Sequence, residues 1–406
     1  MKILLVDVNY KNSSTGKIVY DLAEQLEVDG HDSLVCFGRG KKVTSVKAIR
    51  IAPVLEVYFH VLMTRISGLT GFFSYLATKR LIKQIEKFKP DVVHLHELHG
   101  YYLNINTVVE FLKINSIPVV WTFHCEFMYT GKCGQAYTCE KWKTHCHECP
   151  QVKEYPSSVY FDFTELMFNQ KKEMFKDFGR LEIVTPSNWL ANRVKQSFLK
   201  TKSVNVIYNG IDTKNIFFPR NSTELIERYN LKNKKIILSV APNIMGERKG
   251  GRWILELSKL FSDEYIFILI GVKDLMDSYP SNVIALARTD DQQELAEFYS
   301  AADLFLLTSE KETFSLVTAE SLACGTPVVG FDSGAPSEVA PEGFGSFVPY
   351  GDITKLSQLI TGFFDGNYYL NNALTCRDFA VKNYSNLEMY RNHSDLYKSL
   401  ITNSEI

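Results

Sequence analysis

The stretch 304–330 decides the fold of this chain: Leu-Phe-Leu-Leu-Thr-Ser-Glu-Lys-Glu-Thr-Phe-Ser-Leu-Val-Thr-Ala-Glu-Ser-Leu-Ala-Cys-Gly-Thr-Pro-Val-Val-Gly. Its apolar runs 304–307 and 327–330 predict buried strands, and the segment 315–324 between them predicts a helix. A strand, a helix and a strand in this order are typical of a parallel sheet covered by helices. We therefore expect an α/β fold around this stretch.

The same alternation continues on both sides of this stretch. Because 406 residues exceed what one core usually supports, we expect α/β architecture with two doubly wound Rossmann-like domains facing a cleft. The first domain spans 1–210 with a Cys-rich insertion at about 125–156, the second spans 211–375, and a C-terminal helix in 376–406 crosses back to the first. The polar segment 212–224 is the predicted linker.

Composition excludes several classes of protein. Hydrophobic residues make up 45% and charged residues 22%, which are ordinary globular values. With 45 Lys and Arg against 46 Asp and Glu, the field that drives nonspecific nucleic-acid binding is missing, so we expect no nucleic-acid partner. The first apolar run is too short for a signal peptide and no stretch is long enough to span a membrane, which predicts a cytoplasmic protein.

Two glutamates flank the predicted helix of the central stretch. Glu312 precedes the helix and Glu320 lies inside it, so both can face one ligand. Unpaired N–H groups at the helix start suit phosphate oxygens, whereas carboxylates accept hydrogen bonds from sugar hydroxyls. Taken alone, this pattern is also typical of an ordinary amphipathic helix with two solvated glutamates.

The surrounding motifs resemble the retaining glycosyltransferases of the GT-B fold, family 4. The similarity extends over nearly the whole chain, and the Cys-rich run 130–150 is similar to the subgroup that builds colanic acid and related capsule or exopolysaccharide chains. The matching segments are Ala301-Ala-Asp, the two glutamates, Cys324-Gly-Thr-Pro, Ser333-Gly334, Ser14-Thr15-Gly16, Asp91-Val-Val-His94-Leu-His96, His124, Pro186-Ser187-Asn188, Tyr208-Asn-Gly and Arg248-Lys249-Gly250.

The resemblance implies a role for each residue of the second domain. Glu320 holds the ribose hydroxyls of a nucleotide sugar and Glu312 contacts the transferred sugar. Arg248 and Lys249 neutralise the departing diphosphate, so the transfer needs no metal or other cofactor; a solvated surface pair is the alternative interpretation. The diphosphate is received by the N–H groups of Phe314, Ser315 and Leu316.

On the first domain, the resemblance points to a glycine loop and a histidine. Thr15 and Gly16 would let the backbone approach the donor phosphates or the acceptor, although a simple turn between strand and helix explains them equally well. His124 lies near the donor sugar in the family; a structural histidine is the alternative. Many relatives have Asp after this His, whereas this chain has Cys125, which leaves Glu126 as the expected neighbouring carboxylate.

The cysteines of the insertion could hold a metal. Four thiolates at short spacing can surround a tetrahedral zinc, which predicts a structural zinc site with His145 and His147 as alternative ligands. Partly buried, reduced thiols and an iron–sulfur site remain as alternatives. The four residues are Cys133, Cys139, Cys146 and Cys149.

Aromatic and basic residues alternate over 54–89, which suits a membrane surface as well as ordinary helix packing. The sequence thus predicts a retaining glycosyltransferase, peripheral on the cytoplasmic face of a membrane. It would transfer a hexose from a nucleotide sugar to a growing, lipid-linked polysaccharide, with a glycan or polyisoprenoid-linked glycan as acceptor. The alternatives are a nucleotide-sugar epimerase of the same fold and a non-catalytic partner subunit of a glycosyltransferase.

Overall fold

Buried apolar strands form two separate parallel sheets in this protein. The computed structural model describes residues 1–41, 43, 47–273 and 279–402. The chain divides into unit 1, which is Met1–Tyr208 with the chain from Met389 onward, and unit 2, which is Asn209–Glu388. The predicted fold class, with two doubly wound α/β sheets, is confirmed.

Unit 1 is built around a seven-stranded sheet in the order β3-β2-β1-β4-β5-β6-β7, in which every neighbouring pair is parallel. The central strands β4 and β5 are buried throughout because helices cover both faces, whereas the edge strands β3 and β7 are partly exposed. The elements are β1 Lys2–Asp7, α1 Ser14–Val28, β2 Asp32–Phe37, β3 Ala48–Arg50, α2 Val54–Ser67, α3 Tyr75–Phe88, β4 Val92–Leu95, α4 Ile105–Ile114, β5 Val119–Thr122, α5 Thr164–Phe175, β6 Leu181–Thr185, α6 Asn188–Lys195 and β7 Val204–Val206.

Unit 2 contains a six-stranded parallel sheet in the order β10-β9-β8-β11-β12-β13. The last helix, α14, starts in unit 2, and its residues from Met389 onward belong to unit 1. The elements are α7 Thr223–Arg228, β8 Lys235–Val240, α8 Gly251–Ser258, β9 Tyr265–Ile270, β10 Val283–Leu286, α9 Gln292–Ala301, β11 Leu304–Leu307, α10 Leu316–Ala323, β12 Val328–Phe331, α11 Pro336–Val339, β13 Gly345–Val348, α12 Ile353–Phe364, α13 Ala373–Tyr384 and α14 Asn386–Thr402.

The strand order reverses once in each sheet. In unit 1, β1 lies between β2 and β4, and in unit 2, β8 lies between β9 and β11. The loops that follow the strands at such a reversal diverge, which leaves room for a ligand beyond the carboxyl ends of the strands. The residues after β1 and β4, and those after β8 and β11, are therefore the places to look for function.

Two segments differ from their predicted roles. The expected linker 212–224 is part of unit 2, where the Arg377 guanidinium donates to the carbonyls of Thr213 at 2.6 Å and Phe217 at 2.7 Å.

The Cys-rich insertion begins directly after β5 and ends only at α5, with two short 3-10 helices, Phe127–Tyr129 and Lys141–Lys143. Since so little of it is helix or strand, other contacts must stabilise it.

The C-terminal helix α14 completes the core of unit 1. Tyr397 is fully buried, and its hydroxyl lies 2.6 Å from Nδ1 of His94 on β4. The Tyr390 hydroxyl donates to the Asp29 carboxylate at 2.6 Å. None of the helices in the described part of the chain has the length and apolar character needed to cross a membrane.

Candidate active site

The residues after β8 and β11 bring opposite charges together in unit 2. The Lys249 ammonium lies 2.6 Å from Oε1 of Glu312, and the Arg248 guanidinium lies 3.4 Å from Oε2 of Glu310. The side chains of Arg248 and Lys249 are 33% and 37% exposed, so both remain accessible to a ligand. The structure therefore places the three predicted residues Arg248, Lys249 and Glu312 in one cluster.

Backbone contacts hold the loop that carries Arg248 and Lys249. Gly250 adopts a left-handed φ of 77°, and a Cβ there would collide with the carbonyl oxygen of Thr308. The Glu310 N–H donates to the Arg248 carbonyl at 3.0 Å, and the Thr308 hydroxyl donates to the Lys249 carbonyl at 3.1 Å. Glycine is thus needed where the loop after β8 passes over the end of β11.

Glu312 is fixed by its own backbone. Its N–H donates to the Ser333 carbonyl at 2.8 Å, and its carbonyl accepts from the Ala335 N–H at 3.1 Å. The Ser333 hydroxyl is buried and makes no hydrogen bond with any described residue. A polar atom buried in this way is costly unless a ligand or water satisfies it.

Helix α10 begins beside this cluster and carries Glu320. Ser315 caps the helix with a left-handed φ of 81°, while the side chain of Phe314 is buried against Tyr384. The first N–H groups of a helix have no partner within it, and in α10 the first of these belongs to Leu316. Glu320 is 8% exposed, and its Oε2 accepts a hydrogen bond from the Tyr299 hydroxyl at 3.0 Å.

Unit 1 carries a different set of groups at the ends of β1 and β4. The carboxylate of Asp7 accepts hydrogen bonds from the Asn9 N–H at 3.0 Å, the Glu97 N–H at 3.0 Å and the Thr15 hydroxyl at 3.1 Å. Complete burial raises the pKa of Asp7 to about 7. Thr15 therefore contacts the end of β1 through its side chain.

The predicted glycine loop at Thr15 and Gly16 was wrong in its local structure. Both residues lie in the first turn of α1, because the Ser13 hydroxyl caps the helix by accepting from the Gly16 N–H at 3.2 Å. A Cβ at position 16 would come within 3.2 Å of the Asn9 carbonyl carbon. Gly16 thus allows close packing between the helix start and the loop after β1.

His124 belongs to a row of buried histidines. Its Nε2 lies 3.0 Å from Nδ1 of His96, and the two rings are stacked with centroids 5.3 Å apart. Burial lowers the pKa of His124 to about 4 and that of His96 well below its usual value, so both rings are neutral near pH 7. His96 in turn lies 3.9 Å from the ring of His94.

Glu126 is not the partner of His124 that the sequence suggested. It is fully buried inside the insertion, where its carboxylate accepts from the Ala136 N–H at 2.6 Å, the Tyr129 hydroxyl at 2.8 Å and Nε of Arg193 at 2.6 Å. The carboxylate whose charge acts on His124 is Glu97, which acts to raise the pKa of the ring. Glu126 is instead a structural anchor of the insertion.

Buried lysines also stabilise the insertion. Nζ of Lys171 donates to the carbonyls of Phe127 at 2.5 Å, Thr130 at 3.0 Å and Gly131 at 3.2 Å. Nζ of Lys132 donates in the same way to three carbonyls, those of Gln151, Val152 and Glu154. These ammonium groups replace the backbone pairing that a helix or strand would have supplied.

All four cysteines of the insertion line one small cavity. The Cys133 thiol donates a hydrogen bond to the sulfur of Cys149, which lowers the pKa of Cys149 to about 6. In the described part of the chain, one group of three metal-ligating side chains has its ligand atoms within 4.8 Å of one another. It consists of Glu97, His99 and Cys125 and includes no cysteine of the insertion. The sulfurs of the insertion are thus neighbours, but they do not converge on one point.

Sequence reasoning missed Asp7 and Glu97. Asp7 directly follows the first apolar run, and Glu97 stands between His96 and His99, so both were visible as polar residues at the end of a strand. That position is a functional signal in a doubly wound fold. Their proximity depends on β1 and β4 being neighbours, which the sequence does not reveal.

Comparison with known proteins agrees with this architecture. Residues 221–375 match the family of glycosyl transferases group 1, and residues 15–215 match glycosyltransferase family 4. The chain is 24% identical over 375 residues to the "Putative colanic acid biosynthesis glycosyl transferase WcaC" of Escherichia coli, with 88% of this chain and 90% of that protein covered.

Solved structures share the fold over nearly the whole chain. Sucrose-phosphate synthase from Thermosynechococcus elongatus superposes with a TM-score of 0.71 at 16% identity and covers 99% of both chains. Anabaena HepE in complex with UDP superposes with a TM-score of 0.66 at 15% identity and covers 98% of this chain and 100% of its own. The chain belongs to the GT-B glycosyltransferases with group 1 and family 4 domains.

Proposed function

We propose that this protein is a retaining glycosyltransferase that moves a hexose from a nucleotide sugar to a growing, lipid-linked polysaccharide. The observation that carries the proposal is the Lys249–Glu312 pair at 2.6 Å beside the start of α10. The ammonium group and the helix N–H groups can bind a diphosphate, and the carboxylate can bind the hydroxyls of the attached sugar. The relative named for colanic acid biosynthesis supports the polysaccharide product.

Different residues of unit 2 would bind the ribose, the diphosphate and the sugar of the donor. Glu320 would bind the ribose hydroxyls, since its buried carboxylate is held in place by Tyr299. Glu312 would bind the transferred sugar, and His124 is the catalytic residue that we propose for unit 1. Lys249 would exchange its contact with Glu312 for the diphosphate, and Arg248 would add a second positive charge. The N–H groups at the start of α10 complete the diphosphate site.

The reaction would retain the anomeric configuration, with the departing phosphate oxygen taking the proton of the acceptor hydroxyl. The positive charges at the diphosphate make a divalent cation unnecessary for this step. We expect turnover to persist in EDTA and to be unchanged by added Mg²⁺ or Mn²⁺. A complete loss that Mg²⁺ or Mn²⁺ restores would contradict the proposal, whereas a slow loss restored only by Zn²⁺ would indicate the cysteine ligands.

A thermal-shift screen of nucleotide sugars, followed by turnover assays, tests the function itself. Glu320→Ala should weaken donor binding, whereas Glu312→Ala should chiefly lower turnover, because the two side chains contact different parts of the donor. Glu256→Ala changes an exposed glutamate of α8 and is the matched control. Wild-type kinetics in both site variants would refute the assignment, and product formed without any acceptor would indicate an epimerase instead.

The acceptor side of the proposal rests on an apolar surface of α2. Leu55, Tyr58 and Phe59 are 83%, 68% and 54% exposed. The segment that follows the insertion lies beside this helix, since the Val159 N–H donates to the Arg65 carbonyl at 2.8 Å, and Tyr160 is 75% exposed. An exposed apolar surface with basic neighbours suits the headgroup region of an anionic membrane, where a lipid-linked acceptor resides.

Vesicle flotation tests this membrane surface. Wild-type protein should float with vesicles that contain phosphatidylglycerol, and Leu55→Ser with Tyr58→Ser should reduce the bound fraction severalfold. Tyr369→Ser removes an aromatic ring of unit 2 that is 76% exposed, so it is the control for general surface hydrophobicity. Equal flotation of the wild type and the double variant would refute the surface as the docking site.

We further propose that the four cysteines of the insertion hold a structural zinc. Their common cavity and the thiol–thiolate pair of Cys133 and Cys149 support this, although the sulfurs would have to draw together around the ion. Four thiolates would leave no open position for substrate. Cys146→Ser should then lose one zinc per chain and make residues 130–156 sensitive to protease, without changing donor binding. Zinc-free protein with a protease-resistant insertion would favour buried thiols.

A further inference from the structure

Besides the cysteines of the insertion, unit 1 contains a second group of side chains that could bind a metal ion. The proposed transfer does not use them. Glu97 and His99 follow β4, and Cys125 follows β5. These strands are parallel neighbours, with Val93 paired to Val119, so their carboxyl ends meet at the same edge of the sheet. The pairing brings Cys125 to Glu97 and His99, which lie 28 and 26 residues earlier in the sequence.

The three ligand groups lie within 3.5 Å of one another, with a different oxygen of the Glu97 carboxylate facing each of the other two groups. The Cys125 sulfur lies 3.3 Å from Nε2 of His99 and 3.5 Å from Oε1 of Glu97, and Nε2 of His99 lies 3.3 Å from Oε2 of Glu97. In a tetrahedral zinc site with bonds of about 2.0–2.3 Å, neighbouring ligand atoms are about 3.3–3.6 Å apart. The separation between the sulfur and Nε2 agrees with that geometry, and each of these two atoms has one Glu97 oxygen at a similar distance.

Hydrogen bonds among the three groups account for this arrangement less completely. The Cys125 thiol donates to Oε1 of Glu97 and Nε2 of His99 pairs with Oε2, which leaves the contact of 3.3 Å between the sulfur and Nε2 without a hydrogen of its own. Nδ1 of His99 is buried without a hydrogen-bond partner in the described chain, so no local contact selects the tautomer. A cation would engage the imidazole lone pair, the thiolate and the carboxylate at once. One thiolate, one carboxylate and one neutral imidazole around a divalent ion also give zero net charge, which lowers the cost of burial.

Neighbouring groups hold the three side chains in this orientation. The Asp7 carboxylate accepts from the Glu97 N–H at 3.0 Å, and the ring of Phe127 packs edge-on against His99 with centroids 4.8 Å apart. Glu97 and Cys125 are partly exposed, so an ion can enter from solution. Support of this kind is what keeps metal ligands in place.

We propose that Glu97, His99 and Cys125 bind one zinc ion. Nitrogen, sulfur and oxygen ligands in a tetrahedral arrangement are those that zinc prefers among the divalent cations. Three protein ligands leave the fourth position to water or to a hydroxyl oxygen of a ligand. The inference concerns unit 1 alone and goes beyond the proposed donor chemistry of unit 2.

The test uses full-length protein, purified with a reductant, stripped by chelator and loaded with Co²⁺ as the only metal. Bound metal per chain is measured after desalting, together with the absorption of tetrahedral thiolate-bound cobalt. Cys125→Ser, His99→Gln and Glu97→Gln should each bind one Co²⁺ fewer than the wild type. Cys376→Ser removes a buried thiol of unit 2 and should keep the wild-type number.

The zinc proposed for the insertion is separated by a further variant. Cys146→Ser should retain the cobalt absorption that depends on Cys125, and the combination of Cys146→Ser with Cys125→Ser should lose it. A folded Cys125→Ser or Glu97→Gln protein that binds as much Co²⁺ as the wild type would overturn the proposal. So would wild-type protein that binds no Co²⁺, a result that does not depend on whether any variant folds.

Discussion

The strand order reverses in both sheets, but the side chains at the carboxyl ends of the strands differ in exposure and charge. In unit 2, the edge presents charged groups that are partly exposed, with Lys249 37% and Glu312 17% accessible at their side chains. In unit 1, the corresponding edge contains Asp7 and His124, which are 0% and 9% exposed and bonded to other protein groups. The comparison teaches that the fold places a site, whereas burial and charge decide which ligand it suits.

The segments that form the two edges differ as well. Unit 2 uses short loops, in which one glycine and a few backbone hydrogen bonds fix the charged residues. Unit 1 follows β5 with the long insertion, which is anchored by Glu126 and by the buried ammonium groups of Lys132 and Lys171. Variants at the unit 2 edge should therefore affect chemistry, whereas variants at the insertion should affect stability.

Lys171→Met should produce the largest effect. It tests whether buried lysines stabilise the insertion. It would leave the buried carbonyls of Thr130 and Gly131 without this donor, whereas the Phe127 carbonyl keeps the Thr130 hydroxyl at 3.5 Å. At about 1–3 kcal/mol for each of the two groups, we expect the free energy of unfolding of unit 1 to fall by about 2–6 kcal/mol. Urea unfolding measures this change. Lys172→Met alters the exposed neighbour and should have no comparable effect. Equal stability of the two variants would contradict the anchoring role.

Lys249→Ala should have the second largest effect. It tests whether the charged residues of unit 2 act in the reaction. Removing the cation from the proposed diphosphate site should lower kcat by about 10²–10³-fold while unit 2 stays folded. Steady-state kinetics with the donor found in the screen measure this, and Lys259→Ala changes an exposed lysine at the end of α8 as the control. An unchanged kcat would mean that Lys249 only pairs with Glu312.

Tyr299→Phe should have a smaller effect on donor binding. Its hydroxyl holds the Glu320 carboxylate, so its loss should weaken donor affinity about tenfold, with kcat less affected. Tyr265→Phe removes a hydroxyl that accepts from Lys235 elsewhere in unit 2, and it should bind donor as the wild type does. A drop in kcat without a change in affinity would argue against Glu320 as the ribose ligand.

Thr15→Val should have the smallest effect and sharpens the description of the unit 1 edge. The change removes one hydrogen bond to Asp7 and should lower the free energy of unfolding by about 1 kcal/mol. Ser14→Ala at the neighbouring exposed position should cost less than Thr15→Val. If Thr15→Val leaves stability unchanged but weakens substrate binding, Thr15 contacts the substrate rather than Asp7.

The parts that sequence predicted well depend on contiguous residues. The strand 304–307 has the bounds that its apolar run predicts, because a fully buried strand is an uninterrupted apolar run. The cap of α6 is also local, since the Ser187 hydroxyl accepts from the Leu190 N–H at 3.1 Å. Glu312 before α10 and Glu320 within it follow from the same local pattern.

Tertiary structure decided what depends on strand order and burial. Cys125 meets Glu97 and His99 because β5 pairs with β4, and Glu126 faces Arg193 because the insertion folds back on α6. The spacing of these residues in sequence does not encode either pairing. Local periodicity and turn residues thus determined the helices and strands of this protein and the positions of Glu312 and Glu320 relative to α10. Which polar side chains are brought together, and whether each is buried or exposed, was fixed only when the strands found their neighbours.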